Sequence, residues 1–99
     1  MDIVTTKDEN TTTFALTGKL DASSSPGLQE LLLAELEEGK SALIDFSGIT
    51  YISSAGLRVL LLGERTAKKK GLRQTLVNVT EGIMDVFEMT GFTALLNIR

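Results

Sequence analysis

Ser41-Ala42-Leu43-Ile44-Asp45-Phe46, followed after a few residues by Ser53-Ser54-Ala55-Gly56-Leu57-Arg58-Val59-Leu60-Leu61-Leu62, holds the densest structural information in the chain. The first run is short and mostly apolar, which is consistent with a buried central strand. The second begins with serines and then turns apolar in nearly every direction, which predicts a deeply packed helix from Ser54 to about Lys70. Its second half is polar, and Gly71 ends it. Between the two lies an expected loop, Ser47 to Ser53.

The flanks repeat this alternation. Upstream, Met1–Thr6 and Thr11–Thr17 are rich in Ile, Val, Thr and Phe, and Asp8-Glu9-Asn10 separates them, which predicts a hairpin. A helix follows Ser23-Ser24-Ser25-Pro26: Ser24 or Ser25 suits the cap, Pro26 suits the first turn, and Gly39 closes it. Leu28, Leu31, Leu32 and Leu36 form its apolar stripe, and Glu35 interrupts that stripe without an evident reason. Downstream, Leu72–Val79 reads as a strand. Asn78 with Glu81 resembles a capping box for a third helix bearing Ile83, Val86 and Phe87. Gly91 stops that helix, and Leu95–Ile98 is a last short strand. The order is β-β-α-β-α-β-α-β, without a linker or low-complexity tract, so residues 1–99 are expected to form one domain. Strands joined through helices run parallel, and functional loops then gather beyond their carboxyl ends. Two loops share that end, Gly18–Ser25 and Ser47–Ser54.

Composition removes whole classes of chemistry. The chain has neither cysteine nor histidine, which excludes disulfides, thiolate chemistry, His-based hydrolysis and zinc sites of His and Cys. No phosphate-binding glycine motif and no nucleophile elbow occurs. No catalytic residue, cofactor or metal is therefore expected, and the chain is read as a non-enzyme. The net charge is −3, and the one basic cluster, Lys68-Lys69-Lys70, falls where cations favour a helix C-terminus, so nucleic acid is not expected as a partner. The N-terminus shows no signal peptide, and no apolar stretch approaches the ~20 residues of a membrane helix. A cytoplasmic location is expected.

Two helix starts offer the same chemistry. Ser24-Ser25-Pro26-Gly27-Leu28 and Ser53-Ser54-Ala55-Gly56-Leu57 match, each passing from a strand end into a helix. A serine there is ordinarily a cap. The glycine two residues on costs helix stability, and a bare backbone beside the serine would let another protein's active site approach. A phosphate at either serine would be stabilised by free N–H groups and the positive end of the helix dipole. On these grounds both serines remain candidates. Asp21 suits a turn, and Asp45 suits a strand end bonding nearby backbone. Met84 and Met89 lie off the apolar face of the third helix.

Leu16-Thr17-Gly18-Lys19-Leu20-Asp21, Leu43-Ile44-Asp45-Phe46-Ser47-Gly48-Ile49 and Tyr51-Ile52-Ser53-Ser54-Ala55-Gly56-Leu57-Arg58-Val59-Leu60-Leu61 resemble the STAS domain, in particular its anti-sigma factor antagonists. The resemblance covers nearly the whole chain. It implies an α/β fold, a mixed sheet of four to five strands with three helices packed on one side. It also implies partner switching. The unphosphorylated antagonist binds an anti-sigma factor that is itself a serine kinase and frees the sigma factor; phosphorylation separates the pair, and a serine phosphatase resets it. Aligned on Gly56-Leu57, Ser54 takes the acceptor position, and Asp21, Ser53, Ser54, Ala55, Gly56 and Leu57 take the partner-binding positions. Ser53 replaces the aspartate usual in the family, Ala55 replaces a second Ser or Thr, and Lys19 stands where an acidic residue is common. Some domains resembling this one instead serve, without phosphate, as scaffolds or accessory subunits of transporters; that is the alternative reading.

Overall fold

The computed structural model describes residues 1–99. Nine elements follow one another: β1 (Asp2–Lys7), β2 (Thr11–Leu20), α1 (Ser25–Glu37), β3 (Ser41–Ile52), α2 (Ser54–Lys69), β4 (Gln74–Val77), α3 (Glu81–Thr90), a short 3-10 turn (Phe92–Ala94) and β5 (Asn97–Ile98). The five strands form one mixed sheet in the order β1-β2-β3-β4-β5. The β1–β2 hairpin is antiparallel, and β2–β3, β3–β4 and β4–β5 are parallel. Each parallel crossover steps in the same direction across the sheet. With one handedness, all three helices then fall on the same face. The expected mixed α/β architecture is thus present, with five strands.

The core lies between that face and the helices. Phe14, Leu16 and Leu20 of β2, Ile44 and Phe46 of β3 and Leu76 of β4 meet Leu28, Leu32 and Leu36 of α1, Leu60 of α2 and Phe87 of α3, all buried. Phe46 and Phe87 pack edge to face, with ring centroids 6.0 Å apart. The opposite face of the sheet carries Thr13, Ala15, Leu43 and Thr75, half-buried, and no helix covers it.

β3 departs most from expectation. It continues to Ile52, through the segment read as a loop from Ser47. Its pairing with β2 shifts twice, between Ala15 and Thr17 and between Gly18 and Lys19. Each shift inserts an extra β3 residue, so the inward side chains are Ala42, Ile44, Phe46, Ile49 and Ile52, with the spacing widening from two to three. Bulges of this kind break alternation without ending a strand. Gly48 sits in the first of them, and a Cβ there would come within 2.6 Å of the Leu16 carbonyl oxygen. β2 likewise runs past Thr17 to Leu20, and β4 is shorter than expected, Gln74–Val77.

Two local expectations are corrected. Thr80, not Asn78, is the N-cap of α3; Asn78 adopts φ 56° and donates its side-chain amide to Asp45 Oδ1 at 3.1 Å. Glu35 is buried, but it has partners: the Thr12 hydroxyl donates to Oε1 at 2.6 Å, and Lys7 Nζ lies 3.1 Å from Oε2. The polar residue in the α1 stripe therefore pins α1 to the β1–β2 hairpin.

Candidate functional site

The carboxyl ends of β2 and β3 lie side by side, with Leu20 paired to Ile52. Beyond them, the Asp21–Ser24 turn and the Ser53–Ser54 junction form one surface. The Ser53 N–H donates to the Leu20 carbonyl at 3.0 Å and ties the two segments together.

Asp21 organises its turn. Its Oδ1 accepts the Ser23 hydroxyl at 2.8 Å and the N–H groups of Ser23 and Ser24, each at 3.1 Å. The Ser23 hydroxyl first, and then the Ser24 N–H, hold the Asp21 carboxyl below the usual carboxylate range. The Ser24 hydroxyl donates to the Lys19 carbonyl at 2.7 Å and accepts the Asp21 N–H at 2.9 Å. It is spent inside the turn, so Ser24 occupies the N-cap of α1 without bonding the helix. Lys19 is exposed just before the turn.

Across from it, Ser53 is the N-cap of α2, extended at φ −104° and ψ 176°, and Ser54 is the first helical residue. Ser54 therefore does not cap the helix, contrary to the ordinary expectation for a serine there. The Ser53 hydroxyl is buried and has no hydrogen-bond partner. Ser54 is exposed and Ala55 half-buried, both at the open end of α2. No acidic residue occupies the first turn of either α1 or α2.

The two matching helix starts differ in one decisive respect. Ser25 is 3% exposed, whereas Ser54 faces solvent. Of the two serines, only Ser54 has a side chain another protein can reach.

Gly56 and Leu57, expected on the contact surface, face the interior instead. Leu57 is 8% exposed. Gly56 is buried, and a Cβ there would collide with Leu20 and Ile52. The glycine lets α2 start close against the ends of β2 and β3, so its bareness serves packing rather than the approach of a partner. Asp45 lies outside the surface: its Oδ1 accepts the Ser47 N–H at 2.9 Å, a contact that, ahead of the Asn78 amide, holds its carboxyl low. No group of acidic, histidine or cysteine side chains is arranged to hold a metal, and no helix is long and apolar enough to cross a membrane.

Two clefts flank the Ser53–Ser54 junction. One, of about 420 Å³, opens between α1 and α2 and includes Ala22 and Ala55. The other, of about 490 Å³, opens between the end of β3 and α3 and includes Tyr51 and Ile83. Sequence reading missed the first cleft, although residues 55, 58, 59, 62 and 65 recur at helical spacing along α2.

The molecule is thus a bulged mixed sheet with helices on one face, closing on a serine-led helix beside an aspartate turn. The family model described as "Mlab, STAS domain" matches residues 3–97, and the chain belongs to the STAS domain family. It is 29% identical over 92 residues to the anti-sigma-B factor antagonist of Bacillus subtilis (strain 168), covering 93% of this chain and 84% of the relative. Its fold is that of the anti-sigma factor antagonist SpoIIAA. The unphosphorylated form of that protein superimposes with a TM-score of 0.79 at 15% identity, covering 99% of this chain and 87% of the other. The phosphorylated form from Bacillus gives a TM-score of 0.78 at 16% identity, covering 99% and 91%.

Proposed function

We propose that this chain is an anti-sigma factor antagonist that works by partner switching. Unphosphorylated, it binds in the cytoplasm an anti-sigma factor that is also a serine kinase, and the sigma factor is released. That kinase phosphorylates Ser54 and the pair separates; a serine phosphatase restores the binding form. Asp21, Ser53, Ser54 and Ala55 form the contact surface, while Gly56 and Leu57 shape it from beneath. The chain binds and is modified; it turns nothing over itself.

The observation that carries this reading is the exposure of Ser54 at the uncapped first turn of α2. A phosphate there adds about −1.5 to −2 charges where free N–H groups and the helix dipole accept them. The fold tolerates the group, while a surface docked on Asp21 and Ala55 meets a new bulky anion. The relatives named as antagonists point the same way.

Peptide mapping by mass spectrometry of the protein isolated from its own host tests the reading. One phosphoryl group on Ser54 in a fraction of molecules, with binding of the anti-sigma factor confined to the unmodified fraction, is the expected result. Equal binding of the unmodified protein and Ser54→Asp would overturn the switch and leave the constitutive scaffold.

A further inference from the structure

The cleft between α1 and α2 combines three features that the reading above does not use. Its walls are largely apolar, from Ala22 and Pro26 on one side and Ala55, Val59 and Leu62 on the other. Arg58 and Arg65 also line it. Neither arginine takes part in any of the ion pairs of the molecule, which join Lys7 to Glu35, Lys68 to Glu64 and Lys70 to Glu37. No acidic residue lines the cleft, although the chain as a whole carries a net charge of −3. Finally, Ser25 lies in its wall, 3% exposed, with a hydroxyl that has no hydrogen-bond partner. A buried hydroxyl without a partner is costly and points to a missing one.

Position adds direction to this chemistry. α1 and α2 both follow parallel strands, so their N-terminal ends lie at the same end of the cleft. No side chain caps either helix. Ser25, Ala55 and Arg58 stand at that end, and Val59 and Leu62 continue away from it. Arg65 follows Arg58 by about two helical turns, and long helical side chains lean back toward the N-terminus, over the floor between the two.

We propose that this cleft binds a small soluble anionic amphiphile, a phosphate or carboxylate head on an apolar body. The head sits at the N-terminal ends of the helices, where Arg58 pairs with it and the Ser25 hydroxyl, closed off from solvent in this conformation, turns outward to donate to it. The body lies on Ala22, Val59 and Leu62, and Arg65 covers it. A volume of about 420 Å³ is that of an ordinary small-molecule site. The bound ligand would rest against Ala55, next to Ser54. In the unmodified chain Arg58 has no ion pair and is free to take that head, whatever the role of Ser54.

Titration of the full chain by ¹H–¹⁵N NMR with octyl phosphate below its micelle concentration tests it, with octanoate, octanol and inorganic phosphate as parallel probes. Saturable shifts of the Ala22, Ser25, Ala55, Arg58 and Val59 amides are expected with octyl phosphate and octanoate. Octanol and inorganic phosphate, each lacking half of the chemistry, should bind at least about tenfold more weakly. The R58Q/R65Q variant should lose about tenfold in affinity for octyl phosphate while keeping its thermal midpoint, because both side chains are exposed. Octanol binding as well as octyl phosphate, inorganic phosphate binding as well as octyl phosphate, an R58Q/R65Q variant that binds unchanged, or shifts absent from the cleft would each overturn the proposal.

Discussion

Gly56 packs so tightly on Leu20 that a Cβ at position 56 would lie 2.8 Å from the leucine Cγ and 2.9 Å from its carbonyl oxygen. That same carbonyl accepts the Ser53 N–H, so one contact sets both the start of α2 and its distance from the Asp21 turn. Gly56→Ala should cost about 1–3 kcal/mol by overpacking. Gly27, its counterpart in α1, has nothing within 4 Å of an added Cβ. Gly27→Ala should therefore stabilise by about 0.5–1 kcal/mol through helix propensity alone. Urea unfolding of the two variants checks the contrast; equal effects would mean that the close approach at Gly56 is not a constraint.

The paired motifs show how far sequence reading reached. Ser24-Ser25-Pro26-Gly27-Leu28 and Ser53-Ser54-Ala55-Gly56-Leu57 look alike because both must start a helix after a strand. Spacing gives the helix start but not the rotation of the helix about its axis, and that rotation buries Ser25 and exposes Ser54. The central strand was legible only to Phe46. Beyond it, two bulges move the inward positions to Ile49 and Ile52, and a period of two no longer finds them. Glu35 was visible as an anomaly, yet its partners Thr12 and Lys7 lie far away in sequence, beyond any local pattern.

Glu35 makes a stability prediction with a pH signature. Glu35→Ala leaves the buried Thr12 hydroxyl without its acceptor and should cost about 1–3 kcal/mol. Thr12→Val with Glu35→Leu removes both partners and should recover most of that loss. Lys7 is exposed, so Lys7→Met should cost under about 1 kcal/mol. The Thr12 hydroxyl first, and the Lys7 ammonium second, hold the Glu35 carboxyl below its ordinary value of 4.5. A folded-state pKa below the unfolded one means stabilisation that is present above the unfolded value and is lost as pH falls through the folded one. Urea midpoints from pH 7 to pH 3 should show the wild type losing its advantage over Glu35→Gln below about pH 4.5. A constant difference across that range would refute the assignment.

Asp21 separates local order from global stability. Its carboxylate bonds only Ser23 and Ser24, all within the turn. Asp21→Ala should therefore raise hydrogen exchange at the Ser23 and Ser24 amides while leaving the urea midpoint of global unfolding nearly unchanged. Because hydrogen bonds depress its pKa, the turn should stay ordered at neutral pH and loosen only as pH falls below the usual aspartate range. Unchanged protection at both amides in Asp21→Ala would show that backbone bonds alone hold the turn.

Ser54 and Arg58 stand at i and i+4 on α2, on neighbouring turns of one face. A phosphate on Ser54 gains from the helix dipole, from the uncapped N–H groups and from an arginine that has no carboxylate to leave. Phosphorylated protein should accordingly be more stable than unmodified protein, by about 0.5–2 kcal/mol at low salt. The gain should be larger at pH 8 than at pH 5, since the second phosphate ionisation lies near about 6. In Arg58→Gln the gain should shrink but persist, because the dipole and the N–H groups remain. Thermal midpoints of the phosphorylated and unmodified forms, measured with and without Arg58, decide this. Destabilisation by the phosphate would mean that it strains the helix start, and separation from a partner would then reflect a changed fold rather than a blocked surface.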